Sequence, residues 1–134
     1  MEILPKPIFR NLQPLVLASE SARRVQLLRS LGVDIEVIPS GIEEGNGAQQ
    51  EPAFLVESLA REKAGTVARR CPQSWVLSAD TVVVLQGTIF GKPGSPEEAI
   101  TMLRRLSGRE HQVFSGLCLM RVDPPCSRVL SVRT

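Results

Sequence analysis

Two serines, Ser19 and Ser21, follow the apolar run Leu15, Val16, Leu17, Ala18, and two adjacent arginines, Arg23 and Arg24, come directly after. This spacing makes a strand end, two hydroxyls and a helix amino terminus meet. Free N–H groups and the helix dipole favour an anion at such a point, and arginine's planar fork suits phosphate oxygens. Taken alone, the stretch reads better as a helix capped by one serine with both arginines in water, because capped helices are far commoner than phosphate sites.

Residues elsewhere in the chain shift that balance. Asp80 closes the run Trp75, Val76, Leu77, Ser78, Ala79, and α/β sheets gather ligands at the carboxyl ends of their strands. A carboxylate there could hold a divalent metal or take a proton from water, or it could cap a turn into the next segment. Lys63 falls in the middle of an apolar stripe made by Val56, Leu59, Ala60, Ala64 and Val67, at roughly 100° per residue. A buried ammonium is costly unless paired, so its stem snorkels to an edge or its head meets a polar pocket. Glu43 and Glu44 sit on a glycine-bearing loop, where carboxylates are solvated or available to a hard cation. Lys92 in "FGKPGS" invites a Walker A reading, but Gly87 to Gly91 is one residue short and Pro93 replaces the required Ser or Thr. As a point charge it could still meet phosphate; the alternative is an exposed hairpin lysine. His111 is the only histidine, and with no serine or cysteine signature beside it a hydrolase triad is unsupported, leaving it a structural place at a strand start. Arginines, lysines, carboxylates and hydroxyls on separate elements form a phosphate-plus-metal set, suited to attack on a phosphoanhydride.

The elements that must position these groups alternate. A first short strand leads to a helix capped by Ser19 or Ser21 and stopped by Gly32, with Val25, Leu28 and Leu31, helped by Leu27, on one side. "DIEVIP" alternates as a second strand, a polar loop follows, and Pro52 to about Arg70 forms a second amphipathic helix. "WVLSAD" predicts a third strand that ends at the aspartate, and "TVVVLQGTIFGKP" a hairpin turning at Gln86-Gly87. Ser95 as N-cap, Pro96 at the first helical position, Glu98 closing a capping box and Gly108 as terminator mark a third helix, with Ala99, Ile100, Leu103 and Leu106 as its apolar face. "HQVFSGLCLMRV" and "RVLSVRT" predict two more strands around an Asp-Pro-Pro turn. The class is α/β, a mixed sheet flanked by helices. A sheet that stops on a strand leads us to expect an incomplete sequence.

With 134 residues and 43% hydrophobic content the chain suits one domain with a real core. Sixteen basic and fourteen acidic residues, mixed along the chain, give a net charge of +2, too small a field to hold a duplex, so an anion site must be local. Tyrosine is absent and other aromatics are few, which argues against stacking along single-stranded nucleic acid. Cys71, Cys118 and Cys126 match neither a disulfide framework nor a zinc pattern. We therefore expect a cytoplasmic protein, with no membrane span and no nucleic-acid partner.

"LASESARRVQLLRSLGVDIEVIPSGIEE", "LAREKA", "SADTVVVLQGTIFGKP" and "MLRRLSGREHQVFSG" occur in the order and approximate spacing of the Maf family of nucleoside triphosphate pyrophosphatases, which the chain resembles from about Leu15 onward. The resemblance implies a fold similar to the inosine triphosphate pyrophosphatases, with residues 1–14 as a lead and 15–134 as a Maf-like domain incomplete at its carboxyl end, its second lobe truncated. It implies hydrolysis between the α and β phosphates with a divalent cation, magnesium or manganese. Carried over by motif, Asp80 would accept the proton of the attacking water and Lys63 would bind the charged groups around it. Ser19, Arg24 and Lys92 would meet the phosphates, Arg23 and Thr81 would set specificity, and Glu44 would join Asp80 at the metal. The "RR" pair with "ADT" is similar to the branch acting on dTTP and UTP, with modified pyrimidine triphosphates as further substrates. Ala22 stands where the family usually has proline, which removes a fixed φ but no functional group. The family also implies a homodimer where its interface is complete. Two other readings are a non-catalytic nucleotide-binding regulator linked to septum formation and an inactive truncated fragment.

Overall fold

A computed structural model of the chain describes residues 14–42 and 51–134. The first thirteen residues of the lead lie outside it. The order of elements is β1 (Leu15–Leu17), α1 (Ala22–Ser30), β2 (Ile35–Val37), α2 (Pro52–Ala68), β3 (Val76–Leu85), β4 (Thr88–Phe90), α3 (Pro96–Leu106), β5 (Gln112–Arg121) and β6 (Cys126–Arg133). The strands form one mixed sheet in the order β2-β1-β3-β5-β6, with β4 also paired to β3. β1 runs parallel to β2 and β3, while β4, β5 and β6 add antiparallel pairings.

The central strand departs from expectation. β3 does not end at Asp80 but continues without a break to Leu85. Nothing after Asp80 supplies a turn, and Thr81, Val82, Val83 and Val84 are all β-branched, a run that favours extended backbone. The turn comes at Gln86-Gly87, where φ is 48° and 80°; two consecutive positive values belong to a tight hairpin turn. β5 covers one edge of β3 from Val76 to Val84. On the other edge β1 pairs only at Val76 and Leu77, and β4 only from Val83 to Leu85. Among the described residues, a stretch of β3 around Asp80 therefore has one edge without a strand partner.

α2 covers one face of the sheet. Its buried side, which includes Val56, Leu59, Ala60, Ala64 and Val67, meets alternate residues of β3 in two apolar clusters. Val16, Ala60, Ala64, Val67, Val76 and Cys118 belong to one; Val56, Leu59, Val82, Val84 and Phe114 belong to the other. Between them along β3 stand Ser78 and Asp80, both buried. The Ser78 hydroxyl donates to the Ala60 carbonyl of α2, so this buried hydroxyl is satisfied in helix backbone.

α1 and α3 pack less than their sequences suggest. Ser21 is the N-cap of α1, accepting from Arg24 N at 3.4 Å, and Gly32 ends the helix at φ 81°. Leu27, on the apolar side of α1, is 60% exposed, and α1 has no buried residue. α3 is capped at Ser95 as expected, but Glu98 takes the N–H of Gly94, not of the cap residue itself. Ile100 and Leu103 are half or more exposed. Amphipathic spacing shows that a helix has an apolar side without saying what meets it. Among the described residues α3 is steadied by Arg105, whose guanidinium lies 4.7 Å from the Phe90 ring centre.

Cys118 is fully buried in the first cluster. Burial pushes its thiol up from the ordinary 9.0, against a hydrogen bond with Ser127 and the charge of Arg61. The unfolded thiol ionises first, so this contribution to stability is complete below about pH 9 and is lost as pH rises through the folded value. At pH 8 an aromatic disulfide reagent is expected to label the half-buried Cys71 and Cys126 well before Cys118. Equal labelling rates in the native protein would contradict this.

Candidate active site

The unpaired edge of β3 opens into a cleft of about 1600 Å³, larger than a typical small-molecule pocket. β1 and the start of α1 supply Ser19, Arg23 and Arg24; α2 supplies Lys63; β3 supplies Asp80 and Thr81; and Lys92 lies on the segment after β4. All seven of these sequence-predicted residues line one cleft. The eighth, Glu44, lies with Glu43 outside the described residues. A smaller concavity of about 600 Å³ contains His111 with Arg109 and Gln86. None of the seven lines it, and His111 stands immediately before β5, at the strand start expected for it.

Lys63 Nζ donates to Asp80 Oδ1 at 2.9 Å. The side chains are 10% and 1% exposed, which explains how a lysine survives on an apolar stripe: its head reaches a carboxylate instead of snorkelling to solvent. Charge assistance makes this a strong hydrogen bond. It also fixes the orientation of the carboxylate, since one oxygen is held by an ammonium on a different element.

Arg24 crosses the gap in the sheet edge. The Leu77 carbonyl accepts from Ala18 N of the segment leaving β1, at 2.8 Å. Two residues on, the Ala79 carbonyl has the same outlook but no strand beside it, and Arg24 Nη1 donates to it at 3.1 Å. Nη2 reaches Thr81 Oγ1 at 3.3 Å. One arginine thus serves where a strand would have hydrogen-bonded, and with five donors in its fork it can still address an anion. Ser19 Oγ accepts from Ser21 N at 3.0 Å, so the two serines divide their work: Ser21 caps the helix while Ser19 closes the turn before it.

Two cleft residues escaped the sequence reading. Ser40 is buried and accepts from Ile42 N at 3.2 Å. Ser115 on β5 sits opposite Thr81, its hydroxyl 3.1 Å from Thr81 Oγ1. The signals that point to Ser115 are its place in the motif "MLRRLSGREHQVFSG" and the polar "SG" inside "VFSGLCL".

Asp80 is a single carboxylate, and the described residues contain no group of three or more His, Cys, Asp or Glu able to hold a metal. One carboxylate together with phosphate oxygens of a substrate is nevertheless a donor set that magnesium accepts. Asp80 thus fits as one protein donor to a cation that would be brought in with a nucleotide.

The fold and this cleft define a class. The structure is similar to that of the Staphylococcus aureus Ham1 protein, with a TM-score of 0.59 at 15% identity over 91% of this chain and 70% of that one, which establishes a Ham1-type mixed α/β fold. The chain belongs to the Maf-like protein family, whose model matches residues 14–133. It is 48% identical over 122 residues to the dTTP/UTP pyrophosphatase of Syntrophus aciditrophicus, covering 91% of this chain and 60% of that protein. To the dTTP/UTP pyrophosphatase of Symbiobacterium thermophilum it is 47% identical over 112 residues, covering 84% and 58%. The chain spans about 60% of the length of these relatives. No helix among the described residues is long and apolar enough to cross a membrane.

Proposed function

We propose that the protein hydrolyses nucleoside triphosphates, dTTP and UTP first, to the monophosphate and pyrophosphate. The observation that carries this reading is the buried Lys63–Asp80 pair opening into a cleft whose walls hold Arg23, Arg24, Lys92 and the start of α1. Relatives named dTTP/UTP pyrophosphatase supply the choice of base. Cationic side chains and the N–H groups at the helix start attract the triphosphate. Asp80 accepts a proton from the water that attacks the α phosphorus. The new P–O bond forms to that water while the bond to the β-phosphate oxygen breaks, and pyrophosphate leaves. Lys63 holds the carboxylate in place and offsets negative charge beside it. A divalent cation, magnesium or manganese, would be held by Asp80 with Glu44 and the phosphates, and would supply Lewis-acid polarisation of the phosphoryl oxygens. The same reading makes the protein a cytoplasmic nucleotide-pool enzyme, with dimer formation to be measured by light scattering.

A panel of canonical and modified triphosphates, assayed separately for pyrophosphate and orthophosphate, tests this. Pyrophosphate is expected from dTTP and UTP with magnesium or manganese, and not after chelation. Orthophosphate in its place, or saturable binding without turnover, would reject the hydrolysis reading.

A further inference from the structure

Thr81 and Ser115 stand in direct cross-strand register on the face of β3 and β5 opposite Lys63 and Asp80. Their hydroxyl oxygens are 3.1 Å apart. Arg24 donates to Thr81 Oγ1, and a guanidinium has donors only, so on that side the threonine oxygen is an acceptor. The two hydroxyls own two protons and share one hydrogen bond, which leaves one proton directed out of the pair. Donation from Arg24 polarises the Thr81 O–H and favours the order Arg24 to Thr81 to Ser115, with Ser115 donating outward. Ser115 and Val83 both line the cleft. Lys63 and Asp80 lie across the sheet and the Arg24 guanidinium engages the Ala79 carbonyl and Thr81 Oγ1, so beyond Thr81 this wall offers the oriented hydroxyl of Ser115 beside the aliphatic Val83. A flat, uncharged ring bearing a carbonyl fits there better than a phosphate.

We infer that Ser115 is a specificity residue, donating a hydrogen bond to the 4-carbonyl oxygen of a uracil- or thymine-type base. This rests on the nucleotide reading proposed above. Cytosine carries an amino group at that position and would set donor against donor, a mismatch that a site built for hydrogen bonding penalises.

The test is calorimetric titration of the full chain with the α,β-methylene analogues of UTP and CTP, using wild type, Ser115→Ala, Ser115→Cys and Ser115→Thr. Wild type is expected to prefer the uridine analogue. Ser115→Ala reduces that preference about tenfold through weaker uridine binding alone, and Ser115→Thr restores it. Should the alanine variant fail to fold, Ser115→Cys, with its weak donor, provides the same reading. Equal loss for both analogues, or no change in preference, overturns the assignment. Uridine-selective binding that depends on Ser115, without pyrophosphate release from UTP, supports the contact and rejects the hydrolysis. Turnover with an unaltered base preference in Ser115→Ala rejects the contact alone, and binding of neither analogue rejects both.

Discussion

Asp80→Asn is expected to lower pyrophosphate release by about three orders of magnitude while the protein stays folded, within the range general-base catalysis supplies. Asparagine keeps the shape of the side chain and can still accept the hydrogen bond that Lys63 Nζ makes to Oδ1, but it cannot take a proton at neutral pH. Some stability is lost, because the Lys63 ammonium loses its counter-charge in a site where Asp80 is only 1% exposed. Removing one partner of a buried pair costs about 3–5 kcal/mol when nothing replaces it. The retained acceptor should hold the loss below that range. Thermal unfolding of the variant, followed with the rate assay, separates the two effects: activity within tenfold of wild type in a folded Asp80→Asn would remove Asp80 from the chemistry. Lys63→Met is a poorer probe, since it leaves the carboxylate buried without that ammonium and confounds rate with folding.

The largest stability effect is expected at Gly116. It lies directly across from Asp80 in the β3–β5 register, and a Cβ added there would stand 2.3 Å from the Val56 carbonyl oxygen, 2.4 Å from its carbon and 2.8 Å from Glu57 N. All three are backbone atoms of α2, so no rotamer change relieves the overlap. Either the helix lifts from the sheet or the strand bends away from it, and both disrupt the contact that α2 makes through Val56 and Leu59 with Val82, Val84 and Phe114. Overpacking usually costs about 1–3 kcal/mol. A rigid helix backbone places Gly116→Ala beyond that, at about 4 kcal/mol or more. Urea denaturation gives the value, and a loss under about 1 kcal/mol would show that α2 can shift freely. Any shift also carries Lys63 away from Asp80, so the folded fraction of Gly116→Ala should lose activity as well.

Much of this was legible from local chemistry. The caps at Ser21 and Ser95, the stops at Gly32 and Gly108 and the turn at Gln86-Gly87 depend on φ preferences and side-chain reach within a few residues. Lys63 on an apolar stripe leaves two outcomes from sequence, a snorkelling stem or a polar pocket, because an ammonium there is costly without a partner. The motif resemblance carried the family, and the matched span bears it out. The reading failed where the outcome depends on what lies beside an element. The sequence predicts a strand that ends at Asp80, whereas β1 stops and β3 continues. The apolar sides of α1 and α3 are legible from spacing, but amphipathicity records an apolar side and not its partner, and Leu27, Ile100 and Leu103 stay half or more exposed.

By itself, then, the sequence determined which residue types were available for anion chemistry and on which helices and strands most of them would lie. Tertiary structure alone decided that Lys63 and Asp80 meet at 2.9 Å, that Arg24 fills a missing strand's place, and that Ser115 stands beside Thr81. The physical reason is register. Strand pairing and the close approach of α2 over Gly116 join residues 17 to 60 positions apart, and the pairing geometry that sets those contacts is a property of two elements at once.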